Sequence, residues 1–350
     1  MKSFASILAF VALSLGSVSA APLVEQAQAS YARTSAPAGA VVVDKRSNPV
    51  AGSYKTVQQG VNALSTTTTT PQYLFIYPGV YTEQVYVPAL KSNLTIQGYT
   101  EDARTYAGNT ATITYNLALI NTTSDDLTAT VRQWNKNTKV YNLIIANTFG
   151  HINSNGQNLA ISAHTTNQGY YATQFLGYQD TILANTGNQL YAKCLVTGAI
   201  DFIFGQTALA WFEKNDIRTI AAGSITASGR AADSNPSWYV INNSNIANIN
   251  SSLATYKNYL GRPWANYARV IFQNSYLGDN IVAAGWSVWS KSAANTDHVT
   301  FLEYGNYGPG SVQSEGPRAN FSSQASAAVD ITTVLGKNYL SEWWVDASYL

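Results

Sequence analysis

Two aspartates stand in apolar or aromatic surroundings, where a carboxylate is expensive to bury. Asp180 lies in the segment FLGYQDTIL, and Asp201 lies 21 positions later in TGAIDFIFGQ. A third polar side chain, Gln157, lies 23 positions before Asp180. Because a buried polar group needs a compensating role, the stretch from residue 157 to 205 is the first place to look for chemistry.

The spacing of these residues predicts neighbouring carboxyl groups if the chain winds in coils of about 20–25 residues. Gln157, Asp180 and Asp201 then stack on one face, since adjacent parallel strands are about 4.8 Å apart. Two carboxyl groups that close do not both ionise freely, so one of them keeps its proton near neutral pH. Arg262, in the segment YLGRPW, is the candidate cation that decides which one.

Other common catalytic arrangements are missing from the sequence. It has only three histidines, His151, His164 and His298, and it has no Gly-x-Ser-x-Gly motif. No spacing of His, Asp and Glu indicates zinc, and no phosphate-binding or dinucleotide-binding loop is present. A carboxylate nucleophile, a protonated carboxyl group and amide donors fit ester hydrolysis. The structural alternative is that the aspartates only cap strand ends and that the arginine only binds backbone carbonyls.

Composition favours a large all-β protein without a nucleic-acid or membrane partner. The chain has 350 residues, of which 46% are hydrophobic and 11% charged, and it contains 23 tyrosines. That profile favours strands and turns over helices. Removing residues 1–20 takes away one of the 20 basic residues and none of the 19 acidic ones, so the charges balance. A neutral chain has no long-range attraction for DNA, RNA or anionic lipid.

The first residues predict a secreted, extracellular protein. Lys2, the apolar run 4–15 and the small residues 18–20 are typical of a signal peptide over residues 1–20. Residues 21–40, rich in Ala, Ser and Pro, are predicted to be a flexible leader. Residues 41–350 are then a single catalytic domain, which we expect to be monomeric.

Two further features bear on an extracellular location. Cys194 is the only cysteine, so no internal disulfide forms, and its apolar neighbours predict a buried packing residue. Five Asn-x-Ser/Thr sequons are candidate glycan acceptors: Asn93, Asn121, Asn242, Asn250 and Asn320.

The elements that must position the polar residues are short strands. Ten apolar or alternating runs recur every 16–32 residues or so, most of them ending in Gly or Asn, and no helix of ten residues or more separates them. The runs are 73–79, 93–98, 111–115, 140–148, 172–177, 193–198, 208–217, 237–246, 268–277 and 299–308. This recurrence predicts a solenoid of short strands, with a β-sandwich as the alternative.

The sequence also predicts where the solenoid bends and how its ends are covered. Four asparagines that follow apolar runs suit left-handed bends: Asn147, Asn215, Asn243 and Asn274. Val57, Val61 and Leu64 have helical spacing, which predicts a short helix over residues 54–64. The C-terminal stretch 322–344 is predicted to cover the end or the side of the solenoid, because open ends need capping.

Four motifs, in order, resemble those of the pectin methylesterase (pectinesterase) family, over about residues 40–310. They are Gly79-Val80-Tyr81-Thr82-Glu83, Gln179-Asp180-Thr181, Asp201-Phe202-Ile203-Phe204-Gly205 and Leu260-Gly261-Arg262-Pro263-Trp264. The resemblance implies a right-handed parallel β-helix with short capping helices at the ends. It also implies hydrolysis of the methyl esters of galacturonate in pectin (homogalacturonan), with release of methanol and no metal or organic cofactor.

The resemblance also implies a role for each matching residue. Asp201 resembles the nucleophile, and Asp180 resembles the general acid and base. Gln157 and Gln179 resemble the amide donors to the oxyanion. Substrate-binding roles fall to three residues: Arg262, which keeps the nucleophile ionised, Trp264, a wall against the sugar, and Trp286, a further groove aromatic. Glu83 is assigned to structure, as a hydrogen-bond acceptor from backbone.

Some of these roles have alternatives. The family commonly has Gln-Ala-Val-Ala-Leu at the first glutamine, whereas this chain has a polar neighbour, Asn158. Trp264 and Trp286 could instead pack between loops and the helix body. For the whole protein, the alternatives are a glycosidase or lyase on the same solenoid, since two acids also serve glycoside hydrolysis, and a wall-binding protein without activity.

Overall fold

The computed structural model describes residues 31–253, 257–312 and 316–350, and most of these lie in short strands of three parallel sheets. The large sheet has eleven described strands: β1 (Val41–Val43), β2 (Gln72–Ile76), β5 (Leu94–Gly98), β8 (Thr138–Tyr141), β11 (Gln168–Tyr171), β14 (Thr186–Ala192), β17 (Thr207–Glu213), β20 (Trp238–Asn242), β23 (Arg269–Gln273), β25 (Thr300–Tyr304) and β26 (Ser322–Gln324).

The other two sheets are shorter. The seven-stranded sheet contains β4 (Val85–Val87), β7 (Val131–Gln133), β10 (Ile161–Ala163), β13 (Ile182–Ala184), β16 (Ile203–Gly205), β19 (Gly223–Ser228) and β22 (Asn258–Pro263). The eight-stranded sheet contains β3 (Gly79–Thr82), β6 (Ala111–Tyr115), β9 (Leu143–Asn147), β12 (Gln174–Leu176), β15 (Leu195–Gly198), β18 (Asp216–Thr219), β21 (Asn245–Asn248) and β24 (Tyr276–Leu277).

The chain winds through the three sheets in turn. Strands β10, β11 and β12 lie in the seven-stranded, the large and the eight-stranded sheet, and β13 then returns to pair with β10. One such coil is 21 residues long, because Ile161 pairs with Ile182 and Ile182 with Ile203. The predicted parallel β-helix is confirmed, and the β-sandwich alternative is wrong.

Stacked side chains fill the interior of the coils. Tyr170, Tyr191 and Phe212 come from successive strands of the large sheet, with ring centroids 4.8 Å and 4.5 Å apart. Cys194 is buried among them, and burial raises the pKa of its thiol to about 12. It is therefore a packing residue, as predicted.

Asparagines hold the bends between strands in two ways. Asn243 and Asn274 have φ values of 49° and 52°, which are the predicted left-handed bends. Asn215 has no such conformation; its side chain instead accepts a hydrogen bond from the backbone N–H of Cys194 (2.7 Å) and donates one to the carbonyl of Tyr191 (2.9 Å). Asn147 likewise binds neighbouring carbonyls with its side-chain amide.

A short helix closes the first coils of the β-helix. Helix α1 (Val57–Asn62) begins after Thr56, whose side chain accepts a hydrogen bond from the N–H of Gln59 in a capping box. Glu83 accepts from the N–H groups of Val57 and Gln58 at 2.7 Å and 2.9 Å, which is the structural role predicted for it. The apolar side of α1 joins the core.

The C-terminal segment covers a side of the β-helix. Helix α3 (Ile331–Leu335) follows α2 (Asp125–Thr128) in chain order and packs on the outer face of the large sheet. Trp344 is buried on the same face, and its carbonyl accepts a hydrogen bond from the hydroxyl of Tyr171 (2.7 Å). Of the two positions predicted for this segment, the side is the one observed. Short 3-10 helices occupy Leu119–Asn121, Ser251–Leu253, Tyr339–Ser341 and Ala347–Tyr349.

The predicted signal peptide and residues 21–30 lie outside the described residues. Residues 31–40, predicted as part of a flexible leader, contact the β-helix. Arg33 exchanges backbone hydrogen bonds with Thr100 (2.8 Å and 3.1 Å), and its guanidinium lies 5.0 Å from the ring centroid of Tyr141. Over the described ranges, no helix has the length and apolar character that crossing a membrane requires.

The five sequons differ in exposure. Asn121, Asn250 and Asn320 are exposed and Asn93 is half-buried, so all four remain candidate acceptors. Asn242 is buried, and its side-chain amide donates to the carboxylate of Glu213 (2.7 Å). A glycan at Asn242 would require that amide to leave the protein interior, so this sequon is not an acceptor in the folded protein.

Candidate active site

A cavity of about 180 Å³ opens on the outer face of the seven-stranded sheet. It gathers side chains that the sequence spreads over some 160 positions. Its lining consists of Asp125, Gln157, Gln179, Asp180, Asp201, Phe204, Ala227, Arg262, Trp264 and Trp289. Six of the seven predicted site residues are therefore brought together; Trp286 is not.

The two aspartates occupy matching positions in neighbouring coils. Gln179 forms a bridge with Ile200 and Ile182 pairs with Ile203, so Asp180 lies opposite Asp201 at one strand spacing, about 4.8 Å. Both residues bend the chain just before a strand, with φ values of 63° and 50°. Left-handed backbone is uncommon outside glycine, and it turns both carboxyl groups toward the cavity rather than along the strand.

Arg262 fixes the charge of one carboxyl group. Its Nε donates to Oδ1 of Asp201 at 2.9 Å and its Nη2 donates to Oδ2 at 2.6 Å, which is a forked ion pair. The guanidinium also lies 4.3 Å from the ring centroid of Trp289 and donates to the carbonyl of that residue at 3.2 Å. The fork favours the ionised form of Asp201.

The same geometry assigns the proton to the other carboxyl group. Burial, together with the charges of Asp201 and Asp125, raises the pKa of Asp180 well above its ordinary value. Burial also raises the pKa of Asp201, but the hydrogen bonds and charge of Arg262 oppose this rise. The pair therefore holds one proton on Asp180 beside an ionised Asp201.

The two glutamines reach the cavity from adjacent coils. Ile161 pairs with Ile182, so the strand register places residue 159 opposite Asp180. Gln157 therefore lies two positions before the residue that stacks on Asp180, and the three predicted residues do not form one straight row. Asn158 joins the two segments: its N–H donates to the carbonyl of Gln179 at 3.0 Å, and its side-chain oxygen accepts from the N–H of Gln179. The polar neighbour noted in the sequence thus holds both glutamines in place.

The side-chain oxygen of Gln157 is buried and has no hydrogen-bond partner among the described residues. A buried amide oxygen without a partner is costly, and this one can accept a hydrogen bond from a bound ligand. In the part of the chain that the structure describes, no group of three or more His, Cys, Asp and Glu residues is placed to hold a metal ion. An ionised carboxylate, a protonated carboxyl group and amides can attack an acyl carbon and protonate its leaving group.

Comparison with known proteins identifies the family. A family model described as Pectinesterase matches residues 40–338. A pectinesterase of Aspergillus niger is 49% identical over 324 residues, which are 91% of this chain and 94% of that protein. The chain belongs to the pectinesterase family. Pectinesterases hydrolyse the methyl esters of pectin, so the chain is a carboxylic ester hydrolase, and the glycosidase, lyase and inactive binding alternatives are not favoured.

Two further comparisons cover nearly the whole chain. A pectinesterase of Aspergillus aculeatus is 47% identical over 338 residues, which are 95% of this chain and 99% of that protein. The crystal structure of a pectin methylesterase from Aspergillus niger matches with a TM-score of 0.82 at 38% identity, covering 91% of this chain and 100% of that one. The likeness extends to the fold and agrees with a parallel β-helix.

The placement of Trp286 in the binding groove is a correction to the sequence-based assignment. Trp286 is 1% exposed and stacks on Phe301 at 4.3 Å inside the β-helix. It bridges Gly261, which faces inward because the next residue, Arg262, faces outward. A Cβ atom on that glycine would lie 2.1 Å from the hydroxyl oxygen of Thr226 and 3.1 Å from the Trp286 ring, so Gly261 leaves the space that both side chains occupy.

Four residues of the cavity lining were not predicted as site residues: Asp125, Phe204, Ala227 and Trp289. Trp289 lies three positions after Trp286 and supplies the aromatic wall beside Arg262. Asp125, at the start of α2, has a buried Oδ1 without a hydrogen-bond partner among the described residues, and burial raises the pKa of its carboxyl group. The signal for Trp289 was its position in the same aromatic segment, whereas Asp125 begins a short helix in a polar segment with no such signal.

Proposed function

We propose that the enzyme de-esterifies homogalacturonan through a covalent acyl-enzyme in which Asp201 is the nucleophile. The observation that carries the proposal is the forked Arg262 pair on Asp201 beside the buried carboxyl group of Asp180. A carboxylate that keeps its charge in a buried site is a competent nucleophile, and a carboxyl group that keeps its proton is a competent acid.

In the first half of the reaction, an Asp201 oxygen attacks the carbonyl carbon of a galacturonate methyl ester. The carbonyl oxygen takes the negative charge, and the amides of Gln157 and Gln179 stabilise it; one such donor is typically worth about 2.7–4 kcal/mol. The carbon–methoxy bond then breaks, and Asp180 gives its proton to the departing methanol. The product of this half is a mixed anhydride between Asp201 and galacturonate.

In the second half, the now ionised Asp180 removes a proton from water, and the resulting hydroxide opens the anhydride. This step regenerates the Asp201 carboxylate, returns the proton to Asp180 and releases the free acid of the sugar. Trp264 and Trp289 form apolar walls beside the reacting centre, where they exclude water from the ester and can contact the sugar ring.

The test is methanol release from methyl-esterified homogalacturonan by the wild type and by Asp201→Ala. We expect the wild type to release methanol without creating new chain ends, and the variant to lose turnover while remaining folded. Asp216→Asn is the matched control, because Asp216 is also paired with an arginine, Arg218, but lies outside the cavity. Retained turnover in the Asp201 variant would refute the nucleophile assignment.

Secretion is a second part of the proposal. It is supported by Lys2, the apolar run 4–15 and the small residues 18–20, which match a secretory signal. N-terminal sequencing of protein collected from the culture medium tests it: a mature chain that begins after residue 20 is expected, and a chain that still begins at Met1 contradicts it.

A further inference from the structure

Basic side chains gather on the outer face of the large sheet and at the bends that follow its strands, on a different sheet from the catalytic cavity. Lys139 of β8 shares a register row with Leu190 and Trp211, which belong to the outer apolar cluster. Lys193 and Lys214 directly follow β14 and β17. Together with two arginines that contact this face, they form what we call the cationic face: Arg33, Arg104, Lys139, Lys193 and Lys214.

Lys193 and Lys214 occupy backbone positions that small or neutral residues hold in the other coils. The residue after the large-sheet strand is left-handed in seven successive coils, with φ between 47° and 60°: Asn142, Ala172, Lys193, Lys214, Asn243, Asn274 and Gly305. This conformation suits glycine and asparagine but is unfavourable for lysine. Because Ala192 pairs with Glu213, the two lysines lie side by side at one strand spacing, about 4.8 Å.

The cationic face has few carboxylates to neutralise its charges. Arg104 is paired with Asp102 at 2.7 Å. Among the described residues, no carboxylate oxygen lies within 4 Å of the other four basic groups. Burial lowers the pKa of Lys193, and the charges of Lys214 and Arg104 lower it further. A bound anion would relieve this repulsion between neighbouring cations.

Aromatic rings lie against four of the five cations and hold them in place. Tyr31 is 47% exposed and Trp343 is half-buried, so both rings also offer apolar surface to a ligand. The distances from charge to ring centroid are 5.0 Å for Arg33–Tyr141, 4.1 Å for Arg104–Tyr31, 4.9 Å for Lys139–Trp343 and 5.3 Å for Lys193–Tyr349.

This arrangement favours a linear polymer that carries a negative charge on each sugar ring. Adjacent cations match a charge that repeats along a chain, and aromatic rings pack against the C–H faces of pyranoses. De-esterified homogalacturonan has both features, whereas the methyl-esterified polymer has no charge. The net charge of the whole chain is only +1, so the face acts at contact distance and not by long-range attraction.

We propose that the cationic face binds de-esterified homogalacturonan, the product of the enzyme, at a site separate from the catalytic cavity. Because the two sites lie on different sheets, an enzyme anchored to a de-esterified chain can hydrolyse esters of a neighbouring chain. Anchoring of this kind retains the enzyme where it has already acted and leaves the chemical step unchanged. We take from the reaction only its product, so a failure of the acyl-enzyme mechanism would not remove this binding.

The experiment measures the Kd of fully de-esterified polygalacturonate by calorimetry at low salt. It uses the Asp201→Ala background with saturating methyl-esterified trigalacturonate, which fills the cavity so that polymer binding reports another site. Adding Lys193→Gln/Lys214→Gln should raise Kd roughly two- to thirtyfold, the range for losing two surface ion pairs. Lys193→Arg/Lys214→Arg keeps both charges and should keep the affinity, and added salt should weaken binding in each case.

A matched control removes the same charge elsewhere. Lys91→Gln/Lys257→Gln alters exposed lysines that precede β5 and β22, and it should leave Kd unchanged. With Asp201 intact, the Lys193→Gln/Lys214→Gln variant should keep wild-type kcat and KM on fully methyl-esterified homogalacturonan.

Three results would overturn the proposal. The first is an equal Kd for the Lys193→Gln/Lys214→Gln variant and the control. The second is equally tight binding of the methyl-esterified polymer at this site. The third is single-stranded DNA binding that is as tight and depends equally on the two lysines, which would make the face a general polyanion surface.

Discussion

At the residue scale, the reaction depends on the contrast between two carboxyl groups that lie one coil apart. Their burial is similar, and the difference between them is the partner: Asp201 has the fork of Arg262, whereas Asp180 faces the negative charges of Asp201 and Asp125. Removing either influence should move one limb of the pH–rate profile, and each limb reports one member of the pair.

Arg262→Ala should move the acid limb of kcat/KM to higher pH. The guanidinium lowers the pKa of Asp201, so without it this pKa rises further and more of the nucleophile is protonated at low pH. Arg262→Lys keeps a charge but loses the fork, so its shift should be smaller. The pH profile of methanol release measures both, with Arg218→Ala as the control; an unmoved acid limb in the alanine variant contradicts the role of Arg262.

Asp125→Asn should move the alkaline limb of kcat/KM to lower pH. Asp125 is one of the charges that raise the pKa of Asp180, so its removal lets the general acid lose its proton earlier as pH rises. Asp233→Asn removes the same charge from an exposed position and should leave the limb in place. An alkaline limb that stays fixed in Asp125→Asn shows that this carboxyl group does not act on Asp180.

Residue type and local sequence were sufficient to predict most residues of the site, but not all of them. Buried polar groups in apolar segments pointed to Asp180, Asp201 and Arg262, because only a functional or paired charge persists there. Trp286 faces inward because its segment bridges Gly261, and this long-range pairing is not encoded in the local sequence. Asp125 reaches the cavity only through the coil geometry, which its local sequence does not encode.

At the element scale, the strands of the seven-stranded sheet, which carries the site, were the hardest to predict from the sequence. None of its seven strands falls in the ten predicted runs, because β10, β13 and β16 have three residues each and adjoin polar site residues. The predicted runs belong to the other two sheets, whose strands are longer or more apolar. Short strands of this kind are stabilised by pairing with neighbouring coils rather than by their own pattern.

Glu83→Ala should destabilise the protein without changing the reaction. The carboxylate caps two N–H groups at the start of α1, far from the cavity, so its loss should cost about 1–2 kcal/mol of unfolding free energy. Urea denaturation measures the loss, and Glu101→Ala, at an exposed position, is the control. A reduced kcat in folded Glu83→Ala would place this residue in the reaction and contradict its structural assignment.

At the scale of the whole molecule, the regular coil of the β-helix brings residues that are far apart in the sequence together in one catalytic site. The 21-residue coil sets Asp180 beside Asp201, and two further coils place Arg262 against them. The solenoid and its coil length were predictable, because apolar runs recur and turn residues follow them. The position of the C-terminal segment was left open, since its apolar residues fit an end as well as the side of the large sheet.

The ionised nucleophile and the protonated acid should respond differently to the leaving group of the ester, so leaving-group dependence tests their two roles most directly. The measurement is the first-turnover rate of alcohol release from methyl and trifluoroethyl esters of homogalacturonan by Asp180→Asn and Asp201→Asn. Trifluoroethanol leaves with little need of a proton, so we expect Asp180→Asn to recover at least about tenfold on that ester. Asp201→Asn, which replaces the attacking carboxylate by a neutral amide, should stay inactive on both esters. Recovery of Asp201→Asn on the trifluoroethyl ester, or an Asp180→Asn rate equal to wild type on the methyl ester, would contradict the assignment.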